Sequence, residues 1–223
     1  MPKESNNSYS QMGKKFMNNL QLADDTNGSV NLDQEDAVSS WNFLFETVEG
    51  RSKAGYNGHY TKTNQDTFFA EKSFLGDKGK ALFGVFDGHG EHGHKVSGFL
   101  KSCINDKLME QVKVLRSRPG FKSEIDGDVK VLFKESFVKL NDDLNKRFGI
   151  MTDYSGSTGC CVCCMNDKFY CANVGDSKAA ILSRETKNWE LIELSNDHTP
   201  DISAEKQRIL ACGGRVDRSK RNF

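Results

Sequence analysis

Residues 81–90, ALFGVFDGHG, run alternating small and bulky apolar side chains into Asp87-Gly88-His89-Gly90. A carboxylate where a buried strand emerges can bind a hard cation, and Gly88 lets its own carbonyl oxygen approach the same ion. His89, two residues from Asp87, is within reach of a substrate held by that ion. Imidazole titrates near neutrality, which suits proton donation to a leaving group. The same four residues also read as an Asp-Gly hairpin turn carrying a surface histidine, and local features alone do not separate the two.

Two weaker oxygen-donor signals stand elsewhere. Gln65 and Asp66, in TNQDTFF, precede another apolar run and could add ligands for Mg²⁺ or Mn²⁺, though Asn-Gln-Asp is also ordinary loop chemistry. Asp176, in ANVGDSKAAIL, is a third carboxylate in a tight turn between two candidate strands. His89, His92 and His94 of HGEHGH raise a zinc-binding regulatory module as a distant alternative, but histidines on one Gly-rich turn are a poor zinc template. GCCVCC contains Cys-x-x-Cys spacing twice. Side chains three apart on a strand diverge to opposite faces, so these cysteines read as core packing.

The elements that position these groups follow from hydrophobic periodicity. WNFLFETVEG, TFFAEKSF and ALFGVFDGHG are strand candidates with a Gly/Asn-rich loop between the first two. The period then lengthens to a helical one. Val96, Phe99, Leu100, Cys103, Ile104 and Leu108 predict a helix over 94–115, and Val129 to Leu144 a second, ending near Gly149. GCCVCCM, KFYCANVG, KAAILS and WELIELS predict an antiparallel meander joined by hairpin connections. SAEKQRILA predicts a last helix stopping at Gly213-Gly214. Strands, two helices, a meander and a helix make an α+β fold with antiparallel sheets packed under helices.

The chain of 223 residues is long enough for one domain with a real core. Residues 1–38 are polar and read as a flexible extension, with the domain spanning 39–223. Lys plus Arg equal Asp plus Glu at 31 each, so no basic footprint for nucleic acid is present. No apolar run approaches a membrane span, and the N-terminus lacks the apolar stretch of a signal peptide. Seven cysteines without a secretory signal point to reduced thiols. The expected location is cytoplasmic, with the nucleus or a cytoskeletal assembly as alternatives.

Taken together, KTNQD, FGVFDGHG, GSTG, ANVGDSKAAIL, LSNDHTPD and EKQRILACGGRV resemble, in order and approximate spacing, the motifs of metal-dependent type 2C protein serine/threonine phosphatases. The likeness runs from about Gly55 to Val216. It implies an α-β-β-α sandwich of two antiparallel sheets flanked by helices, and a binuclear Mg²⁺/Mn²⁺ centre. It further implies that Asp87 bridges both metals, that the Gly88 carbonyl binds one, and that Gln65 and Asp66 ligate directly or through water. His89 matches the general acid, and Asp176 a carboxylate near a third metal position. The implied substrate is a phosphoprotein.

Two departures qualify the likeness. Many relatives carry an arginine four residues before the Gln65 position to clamp the phosphate; here Thr61 stands there. Lys62 is the nearest cation, with Lys53 or Arg51 as substitutes. The chain also stops soon after GGRV, before the segment that supplies further metal-binding aspartates and the last strands. Open sheet edges and an incomplete core are expected. Two functions follow: a phosphatase whose C-terminal part lies outside this chain, or a phosphatase-like binding or structural module. In the second, a protein partner covers the open edge or binds the N-terminal extension.

Overall fold

The computed structural model describes residues 21–22, 47–120, 128–165, 168–183 and 188–217. Its centre is a sheet in the spatial order β1 (Gln21–Leu22), β6 (Lys168–Val174), β5 (Gly159–Met165), β3 (Ala81–His89) and β2 (Asp66–Glu71). The short β4 (Gly156–Ser157) extends the pairing along β3. Every pairing is antiparallel. A separate two-stranded sheet joins β7 (Ala180–Ser183) to β8 (Glu190–Glu193).

Strand β3 shows why the sequence folds this way. Its buried positions Leu82, Gly84, Phe86 and Gly88 fall at period two and face the helices, while Phe83, Val85, Asp87 and His89 face the other side. On the helix side lie α1 (Gly93–Arg116) and α2 (Val129–Asn145). Both bury one stripe. Val96, Ile104, Leu108, Val112 and Leu115 from α1 meet Leu132, Phe133, Phe137, Leu140 and Leu144 from α2 in one core with Leu82, Phe86, Cys161 and Cys163. Phe133 and Phe137 meet edge to face at 6.1 Å. Lys107 ties the helices together, with Nζ 2.8 Å from Asp143 and 3.0 Å from Glu110.

Most predicted elements are present. The last helix, α3 (Ser203–Ala211), stops where the glycines require. Gly213 takes a φ of +78°, and the Gly213 and Gly214 N–H groups donate to the Leu210 and Ile209 carbonyls at 2.9 Å. α3 buries none of its residues.

Several expectations need correction. Asp87, Gly88 and His89 do not form a turn after a strand: β3 continues through them, because β4 pairs Gly88 with Ser157 and His89 with Gly156. A hairpin turn is thereby excluded. The meander is broken in the middle, since β6 and β7 lie in different sheets. Gly175, with φ +99°, redirects the chain there instead of folding it back into a hairpin. The TFFAEKSF strand ends at Glu71, and Phe74 is buried in a 3₁₀ turn, Phe74–Gly76. Of the first strand candidate, residues 47–50 are not extended into a sheet and 41–46 lie outside the described residues. Within the expected N-terminal extension, Gln21 and Leu22 pair with Asn173 and Ala172; the remainder of 1–38 lies outside the described residues.

The cysteines behave as packing. β5 is buried on both faces, and the described cysteines are free thiols. Burial pushes the Cys161 thiol well up and that of Cys164 to about 12. The sheet face away from the helices is less covered, with Val85 42% and Phe169 48% exposed. Among the described residues no helix is long and apolar enough to cross a membrane.

Two outcomes are expected. Phe133→Ala should destabilise the full chain by about 3–5 kcal/mol in urea unfolding. In the native state a maleimide should label Cys103 and Cys212, the two partly exposed thiols, well before any cysteine of β5 or β6, as read by mass spectrometry.

Candidate metal centre

The register of β2 and β3 sets Asp66 directly opposite Asp87. The Gly88 N–H donates to the Gln65 carbonyl at 3.2 Å, so 65 and 88 hold a hydrogen-bonded position of the ladder. The next pair, 66 and 87, then falls at a non-hydrogen-bonded position, where opposed side chains come closest. Both carboxylates leave the sheet on the face away from the helices and are exposed. The Asp87 carboxyl is held above its ordinary range, first by partial burial, then by the charge and hydrogen bond of Asp66 and the charge of Asp176; His89 acts in the opposite sense. Asp66, His89 and Asp176 thus all act on the charge of Asp87.

The segment that carries Asp176 is tied to Asp87 through a hydroxyl relay. The ladder is interrupted where Asp87 meets Thr158. Thr158 N–H donates to the Asp87 carbonyl at 2.9 Å, but the Asp87 N–H donates to Thr158 Oγ1, also at 2.9 Å, instead of to a backbone oxygen. Thr158 Oγ1 in turn shares a 2.6 Å hydrogen bond with Ser177 Oγ, beside Asp176. Gly175 lies on the Thr158 side chain so closely that an added Cβ would come within 2.7 Å of its methyl group. His198 N–H and Asn173 Nδ2 both donate to the Gly175 carbonyl, at 2.9 and 3.1 Å, and fix the turn.

Glycine is required at the centre. A Cβ on Gly88 would approach the Gly93 and Gln65 carbonyl oxygens to 2.4 and 2.6 Å, so the start of α1 packs directly on the backbone beside Asp87. Gln65 is partly committed: its Nε2 donates to the Gly90 carbonyl at 2.7 Å, which leaves Oε1 as its remaining donor to a cation. The His89 ring lies over Gly156, where a Cβ would meet Nε2 at 2.7 Å.

The zinc alternative loses support. His92 Nδ1 accepts the Met151 N–H at 3.0 Å and its Nε2 faces Lys95 Nζ at 3.4 Å. Among the described residues no three His, Cys, Asp or Glu side chains already converge on one point.

The donor set fits a hard cation all the same. Two carboxylates face each other, a third lies in electrostatic reach, and among the described residues no Lys or Arg forms an ion pair with any of them. Like charges directly opposed on a sheet are destabilising, and oxygen donors without a protein cation suit Mg²⁺ or Mn²⁺.

The basic residues are distributed otherwise than by sequence proximity. Lys62 sits on the stem of a small hairpin, its N–H donating to the Gly55 carbonyl at 2.7 Å, and is not on the wall of the adjoining groove. That groove, about 690 Å³, has Arg51, Lys53 and Lys178 on its wall together with Asp66 and Asp87. Lys178 also lies 3.5 Å from Asp197 and 3.6 Å from Glu193. Lys178, Thr158 and Ser177 were not singled out from the sequence. Only their places in the GSTG and GDSK segments could have marked them.

Comparison with known proteins gives the family. The family model described as protein phosphatase 2C matches residues 51–223. A probable protein phosphatase 2C 35 of Arabidopsis thaliana is 34% identical over 155 residues, covering 70% of this chain and 41% of that protein. A probable protein phosphatase 2C 73 of Oryza sativa subsp. japonica is 29% identical over 192 residues, covering 76% of this chain and 44% of that protein. The chain therefore belongs to the protein phosphatase 2C family, and it spans less than half the length of these relatives. The crystal structure of a serine-threonine phosphatase 2C from Toxoplasma gondii shares the fold, with a TM-score of 0.57 at 22% identity, over 72% of this chain and 54% of that one.

The opposed carboxylates carry a direct test. In chelator-treated protein, Asp87→Asn should raise stability by up to about 1 kcal/mol in chemical unfolding, because it removes like-charge repulsion. Added Mn²⁺ should then stabilise the parent chain and leave the variant unchanged.

Proposed function

We propose that this chain is part of the catalytic domain of a metal-dependent protein serine/threonine phosphatase. The observation that carries the reading is the Asp66–Asp87 pair, with Asp176 and His89 in reach, beside a groove walled by basic side chains. Asp66, Asp87, the Gly88 carbonyl and Asp176 would hold Mg²⁺ or Mn²⁺ in a binuclear centre, with Gln65 Oε1 adding a donor. Such cations, when bound, neutralise phosphate charge and lower the pKa of water.

The chain's own groups do the rest. Arg51 and Lys53, on the groove wall, draw the phosphate of a phosphoserine or phosphothreonine toward the carboxylates. An arginine there offers the planar fork that Lys62 lacks, so Arg51 is the better substitute for the side chain absent at Thr61. Arg51 is now only 3.4 Å from the exposed Glu49, a contact that a phosphate displaces easily. His89, on the same face of β3 as Asp87, delivers a proton to the departing serine or threonine oxygen.

The test is hydrolysis of a phosphothreonine peptide by the purified chain with Mn²⁺. Turnover that disappears in Asp87→Asn supports the reading. His89→Gln should lower kcat by about 10²–10⁴-fold on the peptide, and much less on an aryl phosphate, whose leaving group needs no proton. A folded chain that binds Mn²⁺ without turnover would instead favour a phosphatase-like binding module.

A further inference from the structure

We propose that Ser97, on α1, is a positioning residue for the Asp66–Asp87 pair; this rests on reading that pair as the cation site. Ser97 is fully buried. Its hydroxyl donates to the Gln65 carbonyl at 2.5 Å, while the Thr67 hydroxyl donates to the Ser97 carbonyl at 3.0 Å. The residues on both sides of Asp66 are therefore bound to one residue of the helix. The same Gln65 oxygen accepts the Gly88 N–H at 3.2 Å, which joins the residue following Asp87 to the node.

Three features separate this from routine helix packing. A serine within a helix ordinarily bonds back to a carbonyl of the preceding turn. Here that acceptor, the His94 carbonyl, is at 3.4 Å, and the hydroxyl is directed across to β2 instead. The hydroxyl also meets the strand pair at the bond just beyond the two carboxylates, at the N-terminal end of β2, where their mutual repulsion acts to splay the strand ends. Finally, a hydrogen bond shielded from water is electrostatically stronger, so it can hold that separation against the repulsion. Ser97 acts on the backbone beneath the carboxylates and touches neither of them.

The experiment titrates Mn²⁺ into the chelator-treated full chain by calorimetry, comparing the parent, Ser97→Ala and Val112→Ala. Val112 is buried on the same helix, within the apolar core. Ser97→Ala, folded by circular dichroism, should weaken Mn²⁺ binding about tenfold, the equivalent of one buried hydrogen bond. Val112→Ala should lower the melting temperature without changing Mn²⁺ affinity. Parent-like affinity in Ser97→Ala overturns the positioning role while leaving the cation site intact. A parent chain that binds no Mn²⁺ overturns both. If Ser97→Ala does not fold, Thr67→Val decides: a several-fold weaker affinity supports the inference, and an unchanged one overturns it.

Discussion

Asp66 and Asp87 stand opposite one another at a non-hydrogen-bonded pair of β2 and β3, the position that brings side chains closest. Two like charges so placed push strand ends apart, and the surrounding structure has to restrain them. The restraint comes from three directions: the Gly88–Gln65 ladder bond, the Ser97 hydroxyl from α1, and the Thr158 hydroxyl from the break between β4 and β5 on the other side of β3. The raised proton affinity of Asp87 comes first from its partial burial and then from the Asp66 charge and hydrogen bond across the pair.

The alternation of β3 lets one strand serve both stability and chemistry. Leu82, Phe86 and Gly88 turn toward α1 and α2, where aliphatic and aromatic side chains close a dry core. Phe83, Val85, Asp87 and His89 turn the other way. Gly88 makes the two roles compatible, because α1 begins directly against its backbone and leaves no space for a Cβ. The helix can then reach over with Ser97 to bind β2.

The third carboxylate depends on tertiary structure throughout. Asp176 follows a strand that does not pair with β3, and its segment is brought there by the turn at Gly175 and the bond from Ser177 to Thr158. Thr158 therefore replaces one rung of the ladder with a side-chain oxygen and ties two carboxylate-bearing segments to one hydroxyl. The groove beside them is likewise assembled from distant segments, which is how Arg51, Lys53 and Lys178 come to share it.

Hydrophobic period alone determined both long helices, the strands 81–86 and 159–165, and the cysteine-rich core, because those signals are local and strong. The motif order identified the family and singled out Asp66, Asp87, His89 and Asp176 as one group. Only the tertiary structure decided that Asp87-Gly88-His89 is strand and not turn, since its partner β4 lies far along the chain. It also decided that β6 and β7 part company, that Gln65 gives its amide to Gly90, and that the cations of the groove are Arg51, Lys53 and Lys178 while Lys62 stands off its wall. Each of these depends on contacts between segments remote in sequence, where no local propensity records the partner.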